Sequence, residues 1–541
     1  MAQFTFSPQF VDGVTRDASG SKHHKDAVVA FCQSIHLIPL SVFVCLIALP
    51  QANAQFAQEG SKLVGTGAVD SAYQGWSVSL SSDGNTAIVG GHFDNSSAGA
   101  AWVYTRSGGV WTQQGSKLVG TGAGGIGFGN SARQGWSVSL SSDGNTAIVG
   151  GYYDFGLIGA AWAWTRSGGV WTQQGSKLVG TGGVGIAAQG QSVSLSSDGN
   201  TAIVGGSNDS GNTGAAWVWT RSGGVWTQQG SKLVGTGAVG SAYQGQSVSL
   251  SSDGNTAIVG GYYDSSGAGA AWVWTRSAGV WTQQGSKLVG AGAVGGAYQG
   301  QSVSLSSDGN TAIVGGYLDS LTGAAWVWIR SGGVWTQQGS KLVGTGNAGS
   351  VQQGYSVSLS SDGNTAIVGG HADNGGAGAA WVWTRSGGVW SQQGSKLVGT
   401  GAVGIAQQGQ SVSLSSDGNT AIVGGYRDNG YAGAAWVYTR TVVAVEDILS
   451  QTPKEFSLAQ NFPNPFNPST EIKFSVAATG RAMVSVYNLL GEQVALLYDG
   501  NAEVGQYYSV TLDGSKLASG LYLYRLQSGS FVETKKLMLV K

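Results

Sequence analysis

The motif Gly-Gly-x-x-Asp occurs seven times and sets one carboxylate each at Asp94, Asp154, Asp209, Asp264, Asp319, Asp373 and Asp428. Flat side chains occupy one of the two positions before it: Phe93, Tyr153, Tyr263, Tyr317, His371 and Tyr426. Carboxylates beside flat rings suit a cation, sugar hydroxyls or a basic partner segment. The same aspartates also have a structural use, accepting backbone N–H groups to fix their loop. Catalysis asks for more, a unique acid–base constellation. Within the repeats histidine occurs only as His92 and His371, with no His-Glu-x-x-His motif and no Ser-His-Asp signature. A paired-carboxylate glycosidase could use Asp264 and Asp319, but the aspartates are repeated rather than specialised. The expectation is therefore a non-catalytic protein for binding or adhesion, its ligand a carbohydrate or a protein. The alternatives are a purely structural surface protein and a glycan-active hydrolase or lyase. No catalytic residue, metal ligand or cofactor is assigned.

The elements that must position these residues come from repetition. The stretch SVSLSSDGNTAIVGG, Ser77 to Gly91, recurs letter for letter six more times, the last copy ending at Gly425. Anchored on GSKLVG, units begin at Gly60, Gly115, Gly175, Gly230, Gly285, Gly339 and Gly394. A period near 55 residues belongs with propellers and solenoids. Within a unit SVSLS alternates at the period of two that a strand requires, and TAIVGG, AAWVWTR and VWTQQGSKLVG are β-branched or aromatic. Asp-Gly in SSDGN and Ser-Gly-Gly in TRSGGVW are hairpin turns. Each unit reads as a four-stranded antiparallel meander, and seven of them around an axis make a seven-bladed β-propeller. Small serines of the innermost strand suit the crowded axis, and the tryptophans suit packing between blades.

The ends sharpen this reading. Blade seven, from Ser411, stops at Arg440 without its outer strand. That strand stands at the other end, in QFAQEGSKLVG, so residues 55–67 are expected to close blade seven. Variation falls on one face: in the loops from HFDNSSA to YRDNGYA and in crossovers such as AVDSAYQ and AVGIAQQ, whereas SSDGN does not vary. Variable loops on a rigid scaffold are where recognition sits.

The pattern SVSLSSDGNTAIVGG…GAAWVWTRSGGVWTQQ resembles the FG-GAP repeats of bacterial surface and secreted proteins, relatives of the integrin α-subunit propeller, with some kelch-like character. The resemblance departs at the name-giving letters, which are Gln-Gly (Gln244-Gly245 in one copy) and Gly-Gly-Tyr, -His or -Ser. It also departs at the calcium loop, since SSDGN carries one carboxylate, such as Asp253, where calcium-binding members carry several.

The chain has 541 residues, 93 of them glycine, with a formal charge of −1 and only 10% charged residues. That balance offers no basic field for nucleic acid or an anionic membrane. Leu37–Leu49 is an apolar run too short to span a bilayer, followed by Ala-Asn-Ala ending at Ala54, a signal-peptidase pattern. Residues 1–54 therefore read as a leader whose front is longer than usual, through either a misassigned start or an unusually long leader, and the mature chain is expected to carry no membrane-spanning segment. Both cysteines, Cys32 and Cys45, lie in that leader. Residues 55–440 form the propeller, 441–454 a linker, and 455–541 a C-terminal domain of short strands with turns every 8–12 residues, a small immunoglobulin-like β-sandwich. The class is all-β throughout. FPNPFNPST, VYNLLGEQV, GLYLYRLQSG and the terminal KKLMLVK resemble the C-terminal sorting domain of type IX secretion in Bacteroidetes-type bacteria. The resemblance implies the secretion machinery as a partner, and a protein secreted from, or held on the outer surface of, a Gram-negative cell.

Overall fold

A computed structural model of the chain describes residues 55–124, 131–440 and 455–541. The leader with its cleavage position at Ala54 and the linker 441–454 lie outside the described residues, as do residues 125–130 of the longest crossover.

Blade one is a sheet of Ser77–Leu80, Thr86–Gly91, Ala100–Ser107 and Val110–Gln113, paired in chain order. The second strand is buried along its whole length, and the fourth alternates exposed and half-buried residues as an edge against water does. Five further sheets repeat the order. The first turn is fixed locally: Asp83 accepts the Ser81 hydroxyl at 2.6 Å and the Asn85 N–H at 2.9 Å. GSKLVG contributes no long strand; instead Leu118 makes an isolated bridge to Ala101.

Blade seven is Ser411–Leu414, Thr420–Gly425 and Ala434–Arg440, with Phe56–Gln58 as its fourth strand. The register is Phe56 opposite Arg440, Ala57 opposite Thr439 and Gln58 opposite Tyr438. At the axis, the N–H of Ser82 donates to the carbonyl of Ser142 at 2.9 Å. The same bond passes through Ser197, Ser252, Ser307, Ser361 and Ser416, and Ser416 donates back to Ser82 at 2.9 Å. A chain of hydrogen bonds that returns to its start after seven steps requires a closed ring. The repeats thus form a seven-bladed β-propeller whose sheets have no open end.

Adjacent blades are joined by apolar side chains. Trp102 is fully buried in a cluster with Leu63, Val89 and, from blade seven, Ile422 and Val437. Its indole N–H donates to the Thr66 carbonyl at 2.8 Å. A buried indole removes about 200 Å² from water, on the order of 5 kcal/mol as an upper bound, and six other blade junctions repeat it. The glycine of each GSKLVG follows from that packing: a Cβ on Gly65 would lie 2.1 Å from Trp102 Cδ1.

The C-terminal domain has two sheets. Ser457–Leu458, Ser469–Ser475 and Tyr507–Asp513 form one; Gln493–Ala502, Gly480–Tyr487, Gly520–Ser528 and Phe531–Leu539 form the other. Both contribute to one core, with Ile472, Phe474 and Leu512 from the first and Val484, Tyr524 and Leu537 from the second. It is a β-sandwich.

Candidate ligand-binding face

The seven aspartates are not offered to a ligand. None is more than 1% exposed. In each, one oxygen accepts a crossover N–H, as Val69 gives to Asp94 at 2.7 Å and Val239 to Asp264 at 2.8 Å. The other oxygen pairs with the lysine of a GSKLVG: Lys117 with Asp94, Lys177 with Asp154, Lys232 with Asp209, Lys287 with Asp264. Lys341 with Asp319, Lys396 with Asp373 and Lys62 with Asp428 complete the set. The expected ring of free carboxylates is corrected on that ground. A carboxylate taken out of water needs a cation and hydrogen bonds, and these have both. One signal in the sequence could have shown it: each copy carries one lysine in GSKLVG for each aspartate in GGxxD.

These anchored aspartates hold two sets of loops. In blade one the loop after the second strand is a single tight turn, Asp94–Ser97, with Asn95 and Ser96 at φ 49° and 55°. The crossover ends in a clamp, where the Gln74 amide takes the N–H of Gly65 at 2.5 Å and gives to its carbonyl at 3.0 Å. The residue before the clamp is left-handed in every blade; Tyr73, Arg133, Tyr243 and Tyr298 lie at φ 56–60°.

The loops gather aromatic rings into two arcs. The first covers blades seven, one and two: Tyr73 stacks on Tyr431 at 4.9 Å and on Phe93 at 4.5 Å. Trp76 meets His92 at 4.4 Å and Trp136 at 4.5 Å, and Trp136 meets Tyr152 at 4.4 Å. The second covers blades four to six. It runs from Tyr243 through Tyr262, Tyr298, Tyr317 and Tyr355 to His371, with neighbouring rings 4.3–5.8 Å apart. Blade three breaks the circle with Gln191, Ser207 and Asn208. At the axis, an open pocket of about 190 Å³ is lined by Trp136, Gln191, Gln246, Tyr355 and Gln410 above a ring of serines.

Of the expected ring side chains, Phe93, Tyr153 and Tyr426 fall in the first arc, and Tyr263, Tyr317 and His371 in the second. The residues nearest the axis were missed: Trp76, Trp136, Tyr355 and the glutamines aligned with them. Their signal is one variable letter inside a constant phrase, the x of Gln-Gly-x-Ser-Val, which is Trp, Gln or Tyr. Burial, then the nearby Arg133 charge, pushes the His92 pKa well below its ordinary value, and burial alone brings His371 to about 4. Both imidazoles are neutral at neutral pH. Burial and neighbouring hydroxyls raise Tyr262 to about 12, so its hydroxyl is a donor.

The opposite end of the axis is uniform. A cavity of about 120 Å³ is lined by Leu80, Ser82 and their counterparts from all seven blades. Burial raises the pKa of Asp83 there, but hydrogen bonds from Ser81 and Asn85 outweigh it, and the net value is lowered. Its oxygens are used inside its own turn.

Together these features define a closed propeller with one aromatic, amide-rimmed face and one face given over to its own turns. Residues 460–541 match the family described as the secretion system C-terminal sorting domain. This type IX sorting tail directs the chain to the outer surface or the extracellular space. Among the described residues no helix is long and apolar enough to cross a membrane. No curated protein matches the chain. Among solved structures, the chain is similar to a candidate 6-phosphogluconolactonase of Bacteroides uniformis, with 13% identity, TM-score 0.43, and coverage of 60% of this chain and 85% of that one. The periplasmic gluconolactonase PpgL of Pseudomonas aeruginosa gives 15%, 0.42, 79% and 98% in the same order. AofleA of Arthrobotrys oligospora gives 13%, 0.36, 64% and 94%.

Proposed function

We propose that this chain is an exported, non-catalytic propeller of the FG-GAP kind that binds a ligand at or outside the cell surface. Recognition falls to the face carrying the two aromatic arcs. One observation carries the reading: seven near-identical blades differ toward the axis in a single position, Trp76, Trp136 and Tyr355 in three blades and glutamine in four, and Trp136 and Tyr355 line the axial pocket with Gln191, Gln246 and Gln410. Half-exposed rings around a polar pocket have no packing duty that glutamine in the other four blades does not also meet. The histidines of this face are neutral and its seven buried aspartates are neutralised by lysine, which favours binding over acid–base chemistry.

The test uses the mature chain from Gln55 and a variant with Trp76→Gln, Trp136→Gln and Tyr355→Gln, each the residue of a sister blade. Both are passed over arrays of glycans and outer-surface proteins. The parent is expected to be retained and the variant to lose at least about tenfold in affinity, with melting temperatures within a few degrees, about 1 kcal/mol in stability. Equal retention of the two proteins, or no retention of the parent on any surface, overturns the reading.

A further inference from the structure

Six arginines of the repeats have identical employment. In Arg106, Arg166, Arg221, Arg276, Arg330 and Arg385, Nε donates to an asparagine of the first turn, and the guanidinium lies over a tryptophan at 5.4–5.5 Å. Two further arginines have no counterpart in any other blade. Arg133 stands where blade three has Ala188, and Arg427 where blade six has Ala372. Neither forms an ion pair among the described residues, and residues 125–130 contain no acid. Arg133 Nε is buried without a partner; one Nη of Arg133 donates to the Tyr152 hydroxyl and one of Arg427 to the Tyr431 hydroxyl, which leaves the other Nη of each for a ligand.

Both cations border the same stack of rings. Arg133 lies over Phe93 at 5.2 Å; Phe93 stacks on Tyr73 at an interplanar angle of 29°, and Tyr73 on Tyr431 at 24°. Arg427 lies over Tyr431 at 4.8 Å. All five side chains are half-buried, so each keeps a surface facing water. Of the carboxylates near the stack in sequence, Asp94 and Asp428 are paired with Lys117 and Lys62, and Asp70 is exposed and forms no ion pair among the described residues.

We propose that this stack binds an acidic saccharide, a glycan chain carrying uronate residues; the proposal rests on the reading of this face as the binding face. A pyranose ring presents apolar C–H groups that lie flat on an aromatic ring. A uronate adds a carboxylate, which a guanidinium can grip through two parallel hydrogen bonds. One exposed arginine–carboxylate pair is weak, about 0–1 kcal/mol. Two cations at opposite ends of a stack, met by successive residues of one polymer, act together. The second arc contains rings but no arginine, so it would hold a neutral stretch of the chain without selecting for charge.

The experiment measures binding of oligoalginate, a neutral cello-oligosaccharide of equal length and polyglutamate to the mature chain. The comparison proteins carry Arg133→Ala with Arg427→Ala, or Arg427→Ala alone should the pair impair folding. Oligoalginate is expected to bind best to the parent, to lose about tenfold in affinity in the double variant and about threefold in the single one, and to weaken as salt rises. Oligoalginate failing to bind, binding the variants equally, or being matched by polyglutamate or by the neutral oligosaccharide overturns the proposal. If that happens while another ligand is lost on substituting Trp76, Trp136 and Tyr355, the face still binds and only the acidic-sugar assignment falls.

Discussion

The two ends of the propeller axis are built by the same seven inner strands and yet differ in what they do with their polar groups. On the side of the SSDGN turns, Ser81, Asp83 and Asn85 satisfy one another, and each blade hands a hydrogen bond to the next. Nothing varies there, where the backbone of the serine ring and the side chains of the turn are tied to one another. On the other side the structural duty is moved below the surface, into the buried aspartate–lysine pairs and the Gln74-type clamps. The residues above those anchors are then free to change, and they change from tryptophan to glutamine to tyrosine on an unchanged backbone. A repeat protein gains a specialised surface in this way without altering its fold.

Carboxylates on the two faces should respond very differently to removal. Asp264→Ala leaves Lys287 and the Val239 N–H without a partner in a buried setting. Breaking such a pair costs about 3–5 kcal/mol, and the lower end is expected because the lysine can reach water. Asp253→Ala removes hydrogen bonds in a more exposed turn and should cost about 1 kcal/mol. Denaturant titration of the two variants separates them; equal costs would mean that the faces are not supported as described.

A smaller effect concerns acid. Burial depresses the His371 pKa to about 4 from 6.5, so below 6.5 the unfolded chain binds the proton that the folded one refuses. Its contribution to stability is fully present above pH 6.5 and is lost as pH falls toward 4. His371→Tyr, the residue of the sister positions Tyr317 and Tyr426, should flatten that part of the stability–pH profile. A profile unchanged by the substitution would remove His371 from the buried wall of the second arc.

Much of the architecture was legible because the repeat supplies its own controls. Alternation in SVSLS, Asp-Gly in the first turn and the tryptophans of AAWVWTR each carry a local physical meaning. The absence of an outer strand after Arg440 could be matched with a spare one after Gln55 by counting. The candidate site was harder to read. Asp94 and Lys117 lie 23 residues apart, on different strands and turns, and nothing local marks them as partners. The aromatic arcs depend on ring closure itself: Tyr73 and Tyr431 come from opposite ends of the propeller and stack only because blade one sits beside blade seven. A reading confined to GGxxD therefore favoured the conspicuous aspartates over the single variable letter before Ser77.

Closure underlies both faces, and a cross-link measures it most directly. Residues 55–541 contain no cysteine, and Ala57 faces Thr439 across the last strand pair. With Ala57→Cys and Thr439→Cys in the mature protein, a disulfide should form under mild oxidation of the folded chain and raise its melting temperature by several degrees, about 2–4 kcal/mol. Two thiols that stay free in the folded, oxidised protein would contradict the closed ring.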